Sequence, residues 1–281
     1  MSAAEEPFDW TFDDSEARGP VIGMHAEISS EQAEIPTHHH AQGQLVMALE
    51  GAVTCEVPNA VWMVPPRCGV WVPWDMPHSI NVTANARVCY LFIQPGRTSL
   101  PLECCTLALS PLVQALILDL ADQDSRYAMN SPTGRKAAVL LEELIKMPVE
   151  QLYLPTSNDP RIRQLTQLLS EDPADRSTLT QWAKRLATSE RTLGRLMERE
   201  TGLSFRRWRQ QLHLLVALRQ LAGGENVQQV AARLGYDSVN AFITMFKKLT
   251  GQTPGRYFSG VQASSTLGSR VSVVAIEDAQ P

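Results

Sequence analysis

Two short segments of the chain share one pattern: LTQWAKRL at residues 179–186 and VQQVAARL at residues 227–234. Their apolar positions repeat at an interval of 48 residues, with Leu179, Trp182, Ala183 and Leu186 matched by Val227, Val230, Ala231 and Leu234. Apolar residues spaced three and four apart are typical of a helix with one apolar face. Each segment is therefore predicted to form a short amphipathic helix.

A longer repeated segment follows each short helix. Ser189, Leu193, Leu196, Met197, Thr201 and Gly202 recur 49 positions later as Ser238, Phe242, Met245, Phe246, Thr250 and Gly251. The serine can cap a helix, and a short helix joined by a tight turn to a longer one is helix-turn-helix geometry. Ala183 and Ala231 are small enough to let the two helices of each copy pack closely. The sequence predicts two helix-turn-helix copies.

The segment between the copies is predicted to be one long helix, from Ser204 to Leu221, which ends at Gly223-Gly224. Phe205, Trp208, Leu212 and Leu215 fall on one face of it. Because a continuous helix has a fixed length, we expect it to set the spacing between the two copies.

The outer face of each longer helix carries polar side chains. On a helical wheel Arg191, Arg195 and Glu198 lie opposite the apolar face of copy one, and Asn240, Thr244 and Lys247 are the matching residues of copy two. Arg can bind guanine through two hydrogen bonds and Asn can do the same with adenine, whereas Thr makes weaker contacts. We therefore expect copy two to discriminate less. The predicted DNA-binding residues are Ser189, Arg191, Thr192, Arg195, Ser238, Asn240, Thr244 and Lys247. The alternative is an ordinary solvated helix face.

Three strings in this region, AARLGY at 231–236, FKKLTG at 246–251 and TPGRY at 253–257, resemble the signature of the AraC/XylS family of bacterial regulators. The resemblance implies two reading helices in successive major grooves of double-stranded DNA. Gly194 departs from the family pattern, which often has a larger polar residue there, so one base contact is expected to be absent.

The charge distribution separates two halves of the chain. Residues 1–155 carry 8 Lys or Arg and 19 Asp or Glu, whereas residues 156–281 carry 17 and 11. Because DNA is densely negative, the basic half is the candidate for phosphate contact. A solvated basic surface explains the same asymmetry.

The N-terminal region is predicted to be a small β-barrel, because short strands from about Gly19 to Pro95 are broken by turn signals. Between Leu107 and Val149, leucines recur at every fourth position, which predicts amphipathic helices. These leucines are at 112, 116 and 120 and at 140 and 144. The helices either cover the barrel or pair with a second chain. We expect an α+β protein with a cupin-like sensor domain at 1–105, a helical connector and dimerisation segment at 106–155, an all-α double helix-turn-helix domain at 156–260 and a loose tail at 261–281. Residues 154–160 are predicted to be the interdomain linker.

His38, His40 and Gln44 resemble the first cupin motif, and residues 73–78, which end in His78, resemble the second. Metal cupins usually carry Glu where this chain has Gln44, and a neutral amide is a poorer cation ligand than a carboxylate. We therefore expect no cofactor, with His38, His40 and His78 as the ligands if a metal binds. The predicted effector-binding residues are His38, His40, Gln44, Trp62, Trp71 and His78, although the tryptophans are also candidates for the core. His39 should face the opposite side of its strand.

The leading hypothesis is a transcription regulator, switched by a small-molecule effector. The resemblance extends to a short-cupin branch whose members often control a neighbouring efflux transporter. A metal-dependent cupin enzyme fused to a DNA-binding domain and a purely architectural DNA-binding protein are the alternatives. We expect a homodimer with RNA polymerase as a further partner, and we expect a cytoplasmic protein because no apolar stretch is long enough to span a membrane. The five cysteines are predicted to be structural thiols.

Overall fold

A computed structural model describes residues 18–27, 33–65, 67–84, 86–150 and 152–259. The chain divides into two compact units. One unit contains the described residues among Met1–Cys55 and Arg67–Gln151, and the other contains those among Glu56–Pro66 and Leu152–Val271. The predicted tail at 261–281 lies outside the described residues.

The first unit is rich in strands. They are β1 (Val21–Glu27), β2 (Ala33–His38), β3 (Gly43–Glu50), β4 (Val53–Val57), β6 (Cys68–Val72), β7 (His78–Val82), β8 (Arg87–Ile93), β9 (Cys105–Ala108) and β10 (Val149–Glu150). One sheet has the order β1-β8-β3-β6-β9-β10, and a second places β7 between β4 and β2. Most of their residues are buried, so the sheets supply the core of this unit.

Two helices complete the first unit, α1 (Pro111–Ala121) and α2 (Pro132–Leu144). Helix α1 packs against β1, β8 and α2, which is the first of the two packings predicted for these helices. Gly23 permits this contact, because a Cβ there would lie 2.5 Å from the backbone nitrogen of Ala121. The burial of Leu140 and Leu144 confirms the predicted face of α2.

The face predicted for α1 was wrong for Leu112, and of the three predicted leucines only Leu120 is fully buried. Leu112 is 53% exposed and Leu116 is half-buried, whereas the buried residues are Val113, Ile117 and Leu120. Helix α1 is apolar on most sides, so spacing alone does not decide which leucines face the sheet.

The second unit is mainly helical. Its elements are β5 (Ala60–Val64), β11 (Tyr153–Pro155), α3 (Pro160–Glu171), α4 (Leu179–Arg185), α5 (Glu190–Thr201), α6 (Phe205–Ala222), α7 (Val227–Arg233), α8 (Val239–Thr250) and α9 (Pro254–Ser259). Strands β5 and β11 pair antiparallel. Helix α6 contacts α5, α7, α8 and α9 and so forms the centre of the unit.

The segment predicted as a linker, 154–160, is ordered packing rather than a spacer. Leu154 is buried within β11, and the carbonyl of Pro155 accepts a hydrogen bond of 2.8 Å from Nε1 of Trp208. Asp159 then caps α3 through the backbone nitrogen of Arg161. The Pro, Ser and Asn content of residues 154–160 is typical of a linker, but here these residues end a strand and start a helix.

The predicted repeat is present as two pairs of helices, α4 with α5 and α7 with α8. Ala183 and Ala231 are both 2% exposed at the matching positions of the short helices. Leu193 and Phe242 are both fully buried, so the predicted apolar faces of α5 and α8 are confirmed. Among the described residues, none of the helices is both long enough and apolar enough to cross a membrane.

Candidate functional site

Both candidate reading helices begin at a serine cap. The Ser189 hydroxyl accepts a hydrogen bond of 3.1 Å from the backbone nitrogen of Thr192, and Ser238 accepts one of 3.2 Å from that of Ala241. Ser189 also lies 2.8 Å from the hydroxyl of Thr192. These contacts satisfy backbone donors that the first turn of a helix leaves open, and so they fix where each helix starts.

The outer face of α5 carries two arginines, Arg191 and Arg195. Both are exposed, and neither forms an ion pair with another described residue. Other arginines of this unit are paired, for example Arg185 with Asp175 at 2.8 Å and Arg199 with Glu200 at 2.7 Å. Four residues separate Arg191 from Arg195, so their side chains leave the same side of the helix. The face therefore presents two guanidinium groups that no carboxylate of the described residues neutralises.

The outer face of α8 is chemically different. Asn240, Thr244 and Lys247 are all exposed, as the repeat predicts. The hydroxyl of Thr244 donates a hydrogen bond of 2.8 Å to the carbonyl of Asn240 within the same helix. Because that bond uses the only proton of the hydroxyl, the Thr244 side chain can contact another molecule only as a hydrogen-bond acceptor or through its methyl group.

The turn of the second copy is fixed by contacts within the same unit. Arg176 donates to the carbonyl of Gly235 and forms an ion pair of 2.7 Å with Asp237. Nδ1 of His213, on α6, lies 3.1 Å from the hydroxyl of Tyr236. Burial, with a smaller contribution from the Arg209 charge, lowers the pKa of His213 to about 4. Sequence reasoning missed this set of contacts, because Arg176 and His213 lie outside the repeated segments.

A cluster of imidazoles lies in the first unit. His38 ends β2 and is the register partner of His78 at the start of β7, while His40 follows β2 in the next loop. One ring nitrogen from each of the three lies within 4.8 Å of the others. Gln44, on β3, points its Oε1 at Nε2 of His40, 3.2 Å away, and at Nε2 of His78, 2.8 Å away. The structure thus brings together four predicted residues, which we call the histidine cluster.

Backbone carbonyls orient the three rings. Nδ1 of His38 lies 2.8 Å from the carbonyl of Pro36, that of His40 lies 2.7 Å from Gln42, and that of His78 lies 2.8 Å from Met76. A carbonyl can only accept, so each Nδ1 is the donor in these bonds. Burial lowers the pKa of His40, and it lowers the pKa of His78 to about 4. Both rings are therefore neutral near pH 7.

The two predicted tryptophans make contacts of their own. Trp62 belongs to the other unit and stacks on Tyr153 with ring centroids 4.5 Å apart. Trp71 pairs in register with Leu45, so strand alternation turns it to the face opposite Gln44. Its Nε1 donates a 2.8 Å hydrogen bond to the carbonyl of Pro101. The core alternative given for these tryptophans describes both positions.

Phe92 is an aromatic neighbour of the cluster that sequence reasoning missed. Its ring centroid lies 5.5 Å from that of His40, and it is the register partner of Gln44 on β8. The apolar run of β8 is buried on both faces, so its sequence shows no alternation that would have identified an inward residue. His39 is exposed, as predicted from strand alternation.

None of the described cysteines belongs to the group of His38, His40 and His78. Burial raises the pKa of the Cys68 thiol to about 12 and that of Cys105 to about 11. Burial also raises the pKa of Cys104. Thiols with raised pKa values are poor nucleophiles at neutral pH, which agrees with the structural role predicted for them.

Two protein-family models match the chain. One, described as a helix-turn-helix domain, matches residues 182–260 and so includes both candidate reading helices. The other, described as an AraC-like ligand binding domain, matches residues 25–145 and includes the histidine cluster. The two matches therefore cover the region of the two helix-turn-helix copies and the region of the histidine cluster.

Two relatives match this chain over most of its length. The transcriptional regulator NimR of Escherichia coli K12 is 48% identical over 250 residues, which are 89% of this chain and 92% of that protein. The transcriptional activator RhaS of Yersinia pestis is 25% identical over 81% of this chain and 90% of its own length. Among solved structures, ToxT of Vibrio cholerae covers 86% of this chain at 13% identity with a TM-score of 0.38, and the match spans 98% of that structure. The chain belongs to the AraC family of transcriptional regulators, with an N-terminal ligand-binding domain and a C-terminal helix-turn-helix DNA-binding domain.

Proposed function

We propose that α5 and α8 read base edges of double-stranded DNA, and that copy one supplies most of the discrimination. Arg191 and Arg195 would contact guanine, Asn240 adenine, and Lys247 the phosphate backbone. Ser189, Thr192 and Ser238 hold the helix starts, and Thr244 makes a weaker contact. The observation that carries this proposal is the pair of exposed arginines on the outer face of a helix-turn-helix, neither of which forms an ion pair within the described part of the chain.

The histidine cluster is the proposed effector site. His38, His40, Gln44 and His78 converge in the ligand-binding domain with Phe92 beside them, and buried polar groups next to an aromatic ring are typical of small-molecule sites. An effector that binds one arrangement of the regulator better than another would shift its population and so change promoter occupancy. Trp62 and Trp71 are assigned to packing.

The remaining parts of the function are proposed from the family alone. We propose a homodimer that acts with RNA polymerase at a promoter, without enzymatic turnover in the ligand-binding domain. Control of a neighbouring efflux transporter follows from the resemblance and not from any contact described above. Genomic fragments selected by the purified protein would identify the operator, and the genes beside it would indicate the effector.

The test of base reading is Arg195→Ala, compared with Arg199→Ala on the same helix. Both remove an exposed arginine, but Arg199 is already paired with Glu200. We expect Arg195→Ala to weaken binding to the selected operator by about 1–3 kcal/mol and to leave binding to scrambled DNA nearly unchanged. Arg199→Ala should change neither by more than about 0.5 kcal/mol.

Fluorescence anisotropy with both duplexes at several salt concentrations separates the two kinds of contact. A contact to phosphate weakens both duplexes alike and reduces the salt dependence by about one unit of slope. Equal losses on operator and scrambled DNA would therefore reassign Arg195 to the backbone and remove the basis of the proposal.

A further inference from the structure

A cavity of about 370 Å³ lies in the second unit, beside the turn that leads into α8. Its wall is formed by the loop before α4, by one side of α6 and by residues 234–237 of the turn. Sites for small molecules are commonly of this size. None of the residues proposed above to contact DNA is among the described residues that line it. The cavity is therefore a feature that the reading helices do not explain.

Three guanidinium groups line the cavity, those of Arg176, Arg206 and Arg209. Arg176 is already paired with Asp237 at 2.7 Å. Arg209 is half-buried and donates one hydrogen bond of 3.1 Å, to the carbonyl of Ser177. Arg206 is exposed and forms no ion pair or hydrogen bond with another described residue. Because a guanidinium has several N–H donors, Arg206 and Arg209 keep donors for a ligand.

The other ionisable groups of the wall do not neutralise these two arginines. The carboxylate of Asp175 forms an ion pair of 2.8 Å with Arg185, which is not part of the wall. Burial, with a smaller contribution from the Arg209 charge, lowers the pKa of His213 to about 4, so its ring is neutral near pH 7. The charges of Arg206 and Arg209 are therefore left without a carboxylate among the described residues of the wall.

We propose that Arg206 and Arg209 bind a phosphate group in this cavity. The planar fork of a guanidinium matches two phosphate oxygens, and such charge-assisted hydrogen bonds are strong. Gln210 also lines the cavity and lies four residues after Arg206 on α6, so its amide offers a further N–H donor on the same side of the helix.

The phosphate group can come from one of two sources. A free phosphate or a small phosphate ester fits the volume of the cavity. A phosphate of the DNA backbone is the other source, because the wall includes Ala241 in the first turn of α8. The DNA source rests on the proposed reading of DNA by α8, whereas the free source does not.

The first arm of the experiment titrates the full chain with inorganic phosphate, without DNA and at constant ionic strength set with chloride. If the ligand is free phosphate, the thermal midpoint of the wild type rises and saturates. Arg206→Gln should weaken this phosphate affinity by about 10-fold. The matched control is Arg207→Gln, because Arg207 is the exposed neighbour of Arg206 on α6 and does not line the cavity.

The second arm measures fluorescence anisotropy with the operator and scrambled duplexes in chloride alone. If the ligand is a backbone phosphate, Arg206→Gln weakens binding to both duplexes by a similar factor and lowers the salt dependence by about one unit of slope. Arg207→Gln should retain the wild-type affinity and the wild-type slope.

An effect of Arg206→Gln in either arm that Arg207→Gln does not share supports the site and identifies its source. Wild-type behaviour of Arg206→Gln in both arms, or the same change in both variants, would overturn the proposal. Both arginines are exposed, and circular dichroism checks that each variant is folded. The test of base reading uses Arg195→Ala and requires unequal losses on the two duplexes, so the two proposals fail on separate measurements.

Discussion

Trp182 in the first helix-turn-helix copy and Val230 in the second occupy the same buried position, whereas the exposed faces of α5 and α8 carry different side chains. Both copies keep a small alanine between their helices and a serine at the start of the longer one. The outer residues are Arg191 and Arg195 in one copy and Asn240 and Thr244 in the other. The two copies therefore share the packing that presents each longer helix and differ in the side chains on its exposed face.

The largest effect should come from the shared buried position. Trp182 is 1% exposed and Val230 is fully buried. We expect Trp182→Ala to lower the free energy of unfolding by about 3–5 kcal/mol, and Val230→Ala to cost less because it removes fewer buried atoms. Urea denaturation followed by circular dichroism measures both. If both variants lowered the free energy of unfolding by a similar amount, the two positions would not be equivalent in their packing.

Lowering the pH should reduce the stability of the protein through His213, which contacts the turn of copy two. Its pKa lies near 4, below its ordinary value of 6.5, so the unfolded chain binds a proton in this window that the folded chain does not. Stability is therefore complete above pH 6.5 and falls between pH 6.5 and about 4, by about 3 kcal/mol for this group.

The full chain with His213→Gln provides the comparison for this pH dependence. His40 and His78 also have lowered pKa values, and they contribute equally to both proteins. The difference in the free energy of unfolding between wild type and His213→Gln isolates the contribution of His213. This difference should shrink steadily as the pH falls from 6.5 to 4. Parallel profiles over that range would contradict the assigned burial.

A smaller effect is expected at Gly194, a position where copy one lacks the side chain that Ile243 supplies in copy two. A Cβ at Gly194 would meet only Leu179, at 3.4 Å, so the helix has room for it. Because Gly is a poor helix former, Gly194→Ala should raise the free energy of unfolding by about 0.5–1 kcal/mol. Gly202→Ala is the contrasting control, since Gly202 has a φ of 71° and should be destabilised by a side chain. A loss of stability in Gly194→Ala would mean that the outer face is crowded.

The sequence predicted the second unit in more detail than the first, for a physical reason. Two copies of one motif provide an internal comparison, so Ala183 with Ala231 and Leu193 with Phe242 could be assigned to a face without a structure. Helix α1 and strand β5 have no such partner and are apolar at most positions, so neither Leu112 nor Trp62 could be placed by periodicity. The packing of α1 against β1 and β8 leaves Leu112 exposed, and the pairing of β5 with β11 places Trp62 beside Tyr153.

The histidine cluster was predicted in part. Resemblance to the first cupin motif indicated His38, His40 and Gln44, and resemblance to the second motif indicated His78. The sequence could not show that Gln44 would reach two of these rings or that three carbonyls would hold them, because those contacts join strands that are distant along the chain.

The most direct test of the account is a base-by-base binding profile. Every position of the selected operator is substituted in turn and measured with wild type, Arg195→Ala and Thr244→Ala. We predict that Arg195→Ala loses discrimination of about 1–3 kcal/mol at one or two adjacent base pairs in the half bound by copy one, while Thr244→Ala changes the other half by less than about 1 kcal/mol. A profile in which Arg195→Ala keeps the wild-type preference at every base pair would contradict the claim that α5 reads the sequence.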